Sequence, residues 1–277
     1  MPNQVHFPLR GGLGNQLFIV ASAVNMSLEK QCPIVFLDLE YLRDKKRISQ
    51  LNFFNLKANQ VYLPQIKGDQ IVFEALKNEV LPANQVINYW GRRYSSLFTE
   101  LYGGTVVVNG YFQSEKFFYN ISPYFLNYIN SILQKYEVPR GKTVFQIRLG
   151  DLARERDIRK IYGFLGDNYW IKALALFQSE ITNIVITTDD KDGISKYLPH
   201  FFDLIIKHEI KVTNFSEYES LAIMAKSNNR VISNSTFGWW GAYLANQGKT
   251  IAPKNWYSGL IERLQPNELN NIDWYQI

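Results

Sequence analysis

The chain has 277 residues, 46% of them apolar and 20% charged, with a single cysteine, Cys32. At roughly 100–200 residues per domain, this is one large domain or two modest ones. The composition excludes a disordered tail, a collagen, a coiled coil, a disulfide scaffold and a cysteine-ligated zinc site. The 30 Lys and Arg exceed the 25 Asp and Glu by a net charge of +5, which is too little to expect a nucleic-acid partner. It suits an anionic small substrate or loose attraction to an anionic membrane face. The aromatic share of 15% suits packing and also stacking on sugars or bases. No run of about 18 apolar residues appears, so no membrane span is expected. Met1–Arg10 lacks the charged and apolar regions of a signal peptide. With the lone cysteine, this gives an expectation of a cytoplasmic protein.

Taken in chain order, Val5–Leu9 reads as a strand, Gly11–Asn15 as a tight loop and Gln16–Lys30 as a helix. Leu17, Phe18, Ala21, Val24 and Leu28 form the apolar stripe of that helix. Pro33–Leu39 reads as a second strand. Tyr41–Gly104 is polar and Asn-rich and reads as irregular helices and loops. Thr105–Asn109 is the third strand, and Glu115–Gln134 a helix interrupted at Pro123. Pro139-Arg140-Gly141 marks a boundary, giving domains 1–139 and 140–277. Beyond it the alternation is regular. Strands are expected at Thr143–Leu149, Ile184–Thr188, Asp203–Ile206, Arg230–Ser233 and Thr250–Ala252. Helices are expected at Asn168–Glu180, Ser216–Ser227 and Thr236–Asn246, with a Ser216/Glu219 capping box and a stop at Gly248. Such alternation predicts an α/β fold with parallel sheets covered on both faces.

Four segments carry candidate chemistry. Arg10-Gly11-Gly12-Leu13-Gly14-Asn15-Gln16 joins a strand to a helix, where glycines let backbone approach a ligand and the helix end favours negative charge. It serves either as a structural turn or as a ligand loop. A dinucleotide fingerprint with Asp38 as the ribose carboxylate is one form of the latter, although Leu17 replaces the third glycine. Phe145–Asp151 delivers Arg148 off the carboxyl end of an apolar strand, where open parallel sheets bind ligands. Its guanidinium can grip a diphosphate or pair with Asp151. The run Arg154–Lys160 reads as a solvated loop or helix face, or a loop near an anionic ligand. Asp189 and Asp190 end a strand and either bind a ligand or cap the next helix. Ser233–Ala242 ends a strand with hydroxyl residues and starts a helix. That arrangement makes an anion site, with Ser235 or Asn234 as the cap. Trp239 and Trp240 are adjacent, so at most one can face a ligand and packing is the commoner role. His6, His200 and His208 lie away from these loops, and no histidine-based triad or metal centre is expected.

Together the segments resemble those of the bacterial α-1,2-fucosyltransferases, glycosyltransferase family 11. Gly11–Phe18 resembles the opening motif, Gly110–Phe118 the middle motif, and Gln146–Asp151 a variant of the His-x-Arg-Arg-Gly-Asp segment. Asp189-Asp190 matches the acidic pair, Ser233–Leu244 the Ser-Asn-Ser-Thr-Phe-Ser-Trp-Trp segment, and Ile251–Trp256 the closing segment. The resemblance implies a GT-B fold, two facing Rossmann-like domains with a cleft between them. The acceptor side is 1–139 and the donor side 140–277. It also implies inverting transfer of L-fucose from GDP-fucose to a galactose-type hydroxyl of a surface polysaccharide, with no metal and no other cofactor. The glycan acceptor would be lipid-linked, with peripheral contact at the inner membrane face. By position, the resemblance implies that Arg148 grips the diphosphate and that Ser235 and Thr236 hold it with the helix N-terminus, with Asn234 and Phe237 also at the donor. Gly12, Gly14 and Gln146 lie at the donor, Asp189 and Asp190 near the nucleoside, and Asn15 near the leaving oxygen. Asp151 is the candidate base or the residue that orients Arg148. Gln146 and Leu149 depart from the motif's histidine and second arginine. Two alternatives stand beside this reading: an NAD-dependent oxidoreductase using Gly11–Gly14, and an inactive glycan-binding module.

Overall fold

A computed structural model describes residues 4–30, 32–37, 71–73, 85–89, 103–139, 142–213, 215–245, 247–264, 268–269 and 273–277. The chain divides into two compact units, Met1–Ile132 and Leu133–Ile277.

The first unit holds a five-stranded sheet. Its strands are β1 (Gln4–Pro8), β2 (Ile34–Leu37), β3 (Ile71–Phe73), β4 (Gln85–Tyr89) and β5 (Thr105–Gly110), in the order β3-β2-β1-β5-β4. All pairings are parallel, with Val5 opposite Ile34 on one side and Val106 on the other. Helix α1 (Leu13–Lys30) buries every residue from Leu13 to Ser27 except Asn15. The apolar stripe expected from spacing is therefore wider than a stripe, because the helix is covered by the sheet on one side and aromatic turns on another. Phe18 meets Phe118 edge-on at 6.0 Å, and Phe7 meets Phe112 at 5.8 Å.

Two expectations change here. β3 and β4 fall in the stretch read as irregular helices and loops. They are short and lack a sustained alternation, so local pattern could not mark them. Apart from Gly103 and Gly104, the rest of that stretch, like Asp38 and Arg140, lies outside the described residues. The helix expected over Glu115–Gln134 is instead two single 3-10 turns followed by α2 (Ser122–Leu133). Pro123 opens α2 and does not interrupt it, as its fixed φ and missing N–H allow in a first turn.

The second unit holds a six-stranded sheet ordered β11-β10-β9-β6-β7-β8. The strands are β6 (Thr143–Ile147), β7 (Ile184–Thr188), β8 (Lys211–Thr213), β9 (Asn229–Ile232), β10 (Lys249–Ala252) and β11 (Tyr275–Gln276), again all parallel. After β6 come the short helices α3 (Gly150–Arg154) and α4 (Arg156–Tyr162), then α5 (Asp167–Ala175). Helices α6 (Lys191–Tyr197) and α7 (Pro199–Lys207) follow β7. Helices α8 (Glu217–Lys226), α9 (Thr236–Tyr243) and α10 (Gly259–Leu264) complete the unit. Phe145, Ile147 and Leu149 point to one face of β6 and pack with Trp170, Phe177 and Phe201. Helix α8 carries the expected Ser216–Glu219 capping box.

Asp203–Ile206 is not a strand. It belongs to α7, which starts at Pro199 and buries Phe201 and Ile205, one helical turn apart. A short apolar run cannot by itself distinguish helix from strand. The strand is β8, a three-residue edge four residues beyond α7. Buried Arg230 ties the neighbouring β9–β10 region. It donates to Ser227 O (2.6 Å), Gln247 O (2.8 Å) and Thr250 Oγ1 (3.2 Å), and burial lowers its pKa to about 10.

Candidate active site

Strand order decides where a ligand can sit. In the second unit the chain leaves β6 toward β7 on one side, while β9 lies on the other. That reversal opens a crevice at the carboxyl ends of β6 and β9. Arg148 leaves the first of these strands and Ser233 the second. The two are joined: Arg148 N–H donates to Ser233 Oγ (2.8 Å), and the Ser233 hydroxyl donates to Gln146 O (2.8 Å).

The Arg148 side chain is held from two directions. Its Nη2 donates to both oxygens of Asp151, at 3.0 and 3.2 Å. Its Cζ lies 5.6 Å from the centre of the Tyr162 ring. The pair stays partly open to solvent, at 23% for Arg148 and 20% for Asp151. Among the described residues, its Nε and Nη1 donate to no protein acceptor. Leu149, where the motif has a second arginine, is buried in the core.

Asp189 leaves the end of β7 and accepts from Leu149 N–H (2.8 Å). A Cβ at Gly150 would run into its carboxylate, so any side chain there would have to displace Asp189. The residue is exposed overall, but its carboxyl group is pressed against this backbone. Burial pushes that carboxyl above its usual value, with the Leu149 hydrogen bond and the Arg148 charge acting in the opposite sense. Asp190 caps α6 by accepting from Gly193 N–H (3.0 Å) and pairs with Arg154 at 3.7 Å.

Gln146 is buried beneath the start of α9, where its Oε1 accepts from Ser233 N–H (3.4 Å). Ser235 caps α9 by accepting from Gly238 N–H (2.9 Å), and Thr236 and Phe237 are the partly exposed residues of its first turn. Asn234 is buried and donates to Tyr162 O (2.5 Å) and Trp256 O (3.2 Å). Trp239 and Trp240 are both packed, at 2% and 0% exposure, so neither is a sugar platform.

In the first unit the equivalent reversal lies between β1 and β5. Gly11 takes φ +72, and a Cβ there would collide with the Asn15 amide. Gln16 Nε2 donates to Gly11 O (2.8 Å) and pins the turn. Gly12 is open, while Gly14 is buried inside α1. Asn15, the residue of this stretch left unburied, accepts from Gln113 Nε2 (2.9 Å). Thus Gly12 lies in the turn before α1, and Gly14 and Asn15 in the first turn of that helix. Gln146, Arg148, Asp151, Asp189, Asp190 and Asn234–Phe237 gather at one sheet edge in the second.

An arginine and a helix N-terminus at a switch point suit a phosphorylated ligand. The sequence matches the family described as Glycosyl transferase family 11 over residues 4–277. The chain belongs to that family. Among its relatives is an α-1,2-colitosyltransferase of Escherichia coli, 24% identical over 96% of this chain and 94% of the relative. Another is the O-antigen biosynthesis glycosyltransferase WbnK of Escherichia coli, 27% identical over 91% and 94%. A solved structure of a mutant Arabidopsis thaliana FUT1 in complex with GDP gives a TM-score of 0.49 at 11% identity. That match covers 91% of this chain and 70% of the FUT1 chain.

As a family 11 member the chain is a glycosyltransferase of the GT-B class, and its two parallel-sheet units are the Rossmann-like units of that class. Membership sets aside the NAD-dependent oxidoreductase. Leu17, at the place of the third fingerprint glycine, is fully buried in α1. Among the described residues, no group of three or more His, Cys, Asp or Glu could hold a metal ion, and no helix is long and apolar enough to cross a membrane.

Sequence reasoning passed over Ser233, Tyr162 and Gln113 as site residues. Ser233 and Gln113 lay inside motifs that had been singled out, at positions flanking better-known groups. Tyr162 gave no signal, because only the fold brings it to Arg148.

Proposed function

We propose that this glycosyltransferase moves L-fucose from GDP-fucose, with inversion, onto the 2-hydroxyl of a galactose-type unit in a surface polysaccharide. The reading rests on one observation above all. Arg148 and the first turn of α9 leave adjacent central strands at the same carboxyl edge and are joined through Ser233. Breaking the bond between the anomeric carbon and the diphosphate oxygen builds negative charge on that oxygen. Fixed donors stabilise it there, and in this reaction they are Arg148 and the first-turn N–H groups of α9 at Thr236 and Phe237, without a metal ion. The first unit's candidate contribution is the Asn15 amide in the first turn of α1. Gly12, open in the turn before that helix, leaves room for a ligand there, while Gly14 is buried within the helix. Asp189 and Asp190 hold the loops beside the nucleoside.

Asp151 keeps Arg148 oriented. Both of its oxygens are turned to Nη2, so it is a poorer base than a carboxylate aimed at an acceptor. The acceptor proton then leaves to the departing phosphate or to water. The acceptor is a lipid-linked O-antigen unit met at the inner membrane face in the cytoplasm, a role supported by the O-antigen relative. The colitosyltransferase relative supports a second donor sugar, colitose in place of fucose. The altered Gln146 and Leu149 positions are compatible with either.

The test is thermal stabilisation by GDP, UDP, dTDP and NAD, followed by transfer assays with the matching sugar nucleotides and galactose-terminated acceptors. GDP at about 100 times its dissociation constant should add about 2.7 kcal/mol of stability. Transfer should persist in excess chelator. Stabilisation by another nucleotide with none by GDP would overturn the donor assignment. Glycan binding with no turnover of any donor would establish an inactive binding module.

A further inference from the structure

Helix α4 buries none of its residues. A seven-residue helix without a packed face does not hold itself in place. Its hold comes from its last turn. The Ser258 hydroxyl donates to Lys160 O, Ser258 N–H donates to Ile161 O (2.8 Å), and Asn234 Nδ2 donates to Tyr162 O (2.5 Å). Three consecutive carbonyls are thus taken by donors that follow β9 and β10. Gly163, at φ +70, then turns the chain away.

All this anchoring fixes the backbone of Tyr162. The Tyr162 ring lies 5.6 Å from the ring of Tyr257, a residue only 4% exposed, so it has a rigid backing. Its other neighbour is the Arg148 guanidinium, also at 5.6 Å.

We infer that Tyr162 is a positioning residue for Arg148: its ring face and the Asp151 carboxylate together hold the guanidinium so that Nε and Nη1 are presented to the donor diphosphate. The choice of an aromatic ring has a physical reason. A long flexible side chain must be fixed before it can act as a preorganised donor. A second carboxylate would fix it but cancel its charge. A ring face attracts the guanidinium through its quadrupole and leaves the charge in place. The inference rests on Arg148 gripping the diphosphate, as proposed above.

The test uses the whole chain and GDP as the probe in calorimetric titration, with wild type, Tyr162→Phe, Tyr162→Leu, Arg148→Ala and the Arg148→Ala/Tyr162→Leu double variant. Tyr162→Phe keeps the ring face and should bind GDP within about threefold of wild type. Tyr162→Leu should weaken GDP about five- to thirtyfold and lower kcat alongside. In the Arg148→Ala background the same change should add less than about twofold, because the ring acts through the arginine. A Leu effect that is equally large without Arg148, or a Phe variant as impaired as Leu, overturns the inference. Should Tyr162→Leu fail to fold, Tyr162→Met fills similar space without a π face and takes its place. If the wild type binds no GDP, the donor assignment falls and the unfolding free energies of the four non-Phe proteins decide instead. Coupling between positions 148 and 162 upholds the contact, and strict additivity overturns it.

Discussion

Each unit sends an arginine off its central strand at the reversal point of its sheet, and each arginine meets a tyrosine ring. In the first unit Arg10 follows β1 and lies 6.0 Å from the Tyr111 ring; in the second Arg148 follows β6 and lies 5.6 Å from Tyr162. The next residues differ. After Arg10 come Gly11 and Gly12, and α1 begins at once with no acid in its first turn. After Arg148 come Leu149, Gly150 and Asp151, and the arginine is locked to that carboxylate. One topological position has thus been built in two ways. The first unit presents the neutral amide of Asn15 in the first turn of α1, after a tight glycine turn. The second presents an oriented cation beside a helix N-terminus, with a second carboxylate, Asp189, bracing the loop from β7. The lesson is that the parallel sheet supplies the place, and a few residues after the strand decide the chemistry.

The two units differ most at Arg148. Arg148→Ala should lower transfer by about 10²–10³-fold or more while the melting curve stays cooperative. Near-normal kcat in that well-folded variant would remove the second unit's claim to the diphosphate. Next in size is Arg230, which has no counterpart among the candidate site residues of either unit. Arg230→Ala strands the carbonyls of Ser227 and Gln247 and should cost about 3 kcal/mol, read from urea unfolding midpoints. A loss below about 1 kcal/mol would mean that water replaces the guanidinium.

Gly11→Ala tests the glycine turn. Its positive φ and the nearby Asn15 amide predict a loss of about 1–2 kcal/mol, with a fall in transfer because Asn15 must shift. Unchanged stability and activity would show that the turn tolerates a side chain. The smallest effect is expected at Asp189→Asn. Burial raises this carboxyl's pKa, so the folded chain binds its proton more tightly than the unfolded chain. Its contribution to stability therefore falls as pH rises from about 4 through the raised folded value. Asparagine keeps an acceptor for Leu149 N–H and carries no charge. The variant should melt at or slightly above wild type at pH 7, and the difference should shrink toward pH 4. A clear drop at pH 7 would show that the charge itself braces Arg148.

Local pattern alone fixed much of this molecule. Strand-helix alternation, the capping box at Ser216 and the turn at Gly11 follow from short-range stereochemistry, which acts within a few residues; the helix stop expected at Gly248 does not, since α9 ends at Tyr243 with Leu244 as its cap and Gly248 turns the chain into β10. The placement of Arg148, Asp189 and Ser233 after strands follows from the same pattern. Tertiary structure decided the rest. It recruited Ile71–Phe73 and Gln85–Tyr89 as strands, because a short apolar run becomes a strand only when a neighbour offers its hydrogen bonds. It turned Asp203–Ile206 into helix, in a segment that Pro199 opens and whose buried Phe201 and Ile205 lie one turn apart. It also brought Tyr162 against Arg148, a contact between residues 14 positions apart in the chain that depends on Ser258 and Asn234 from much later in it. Sequence spacing carries no record of such a contact, since packing and not periodicity creates it.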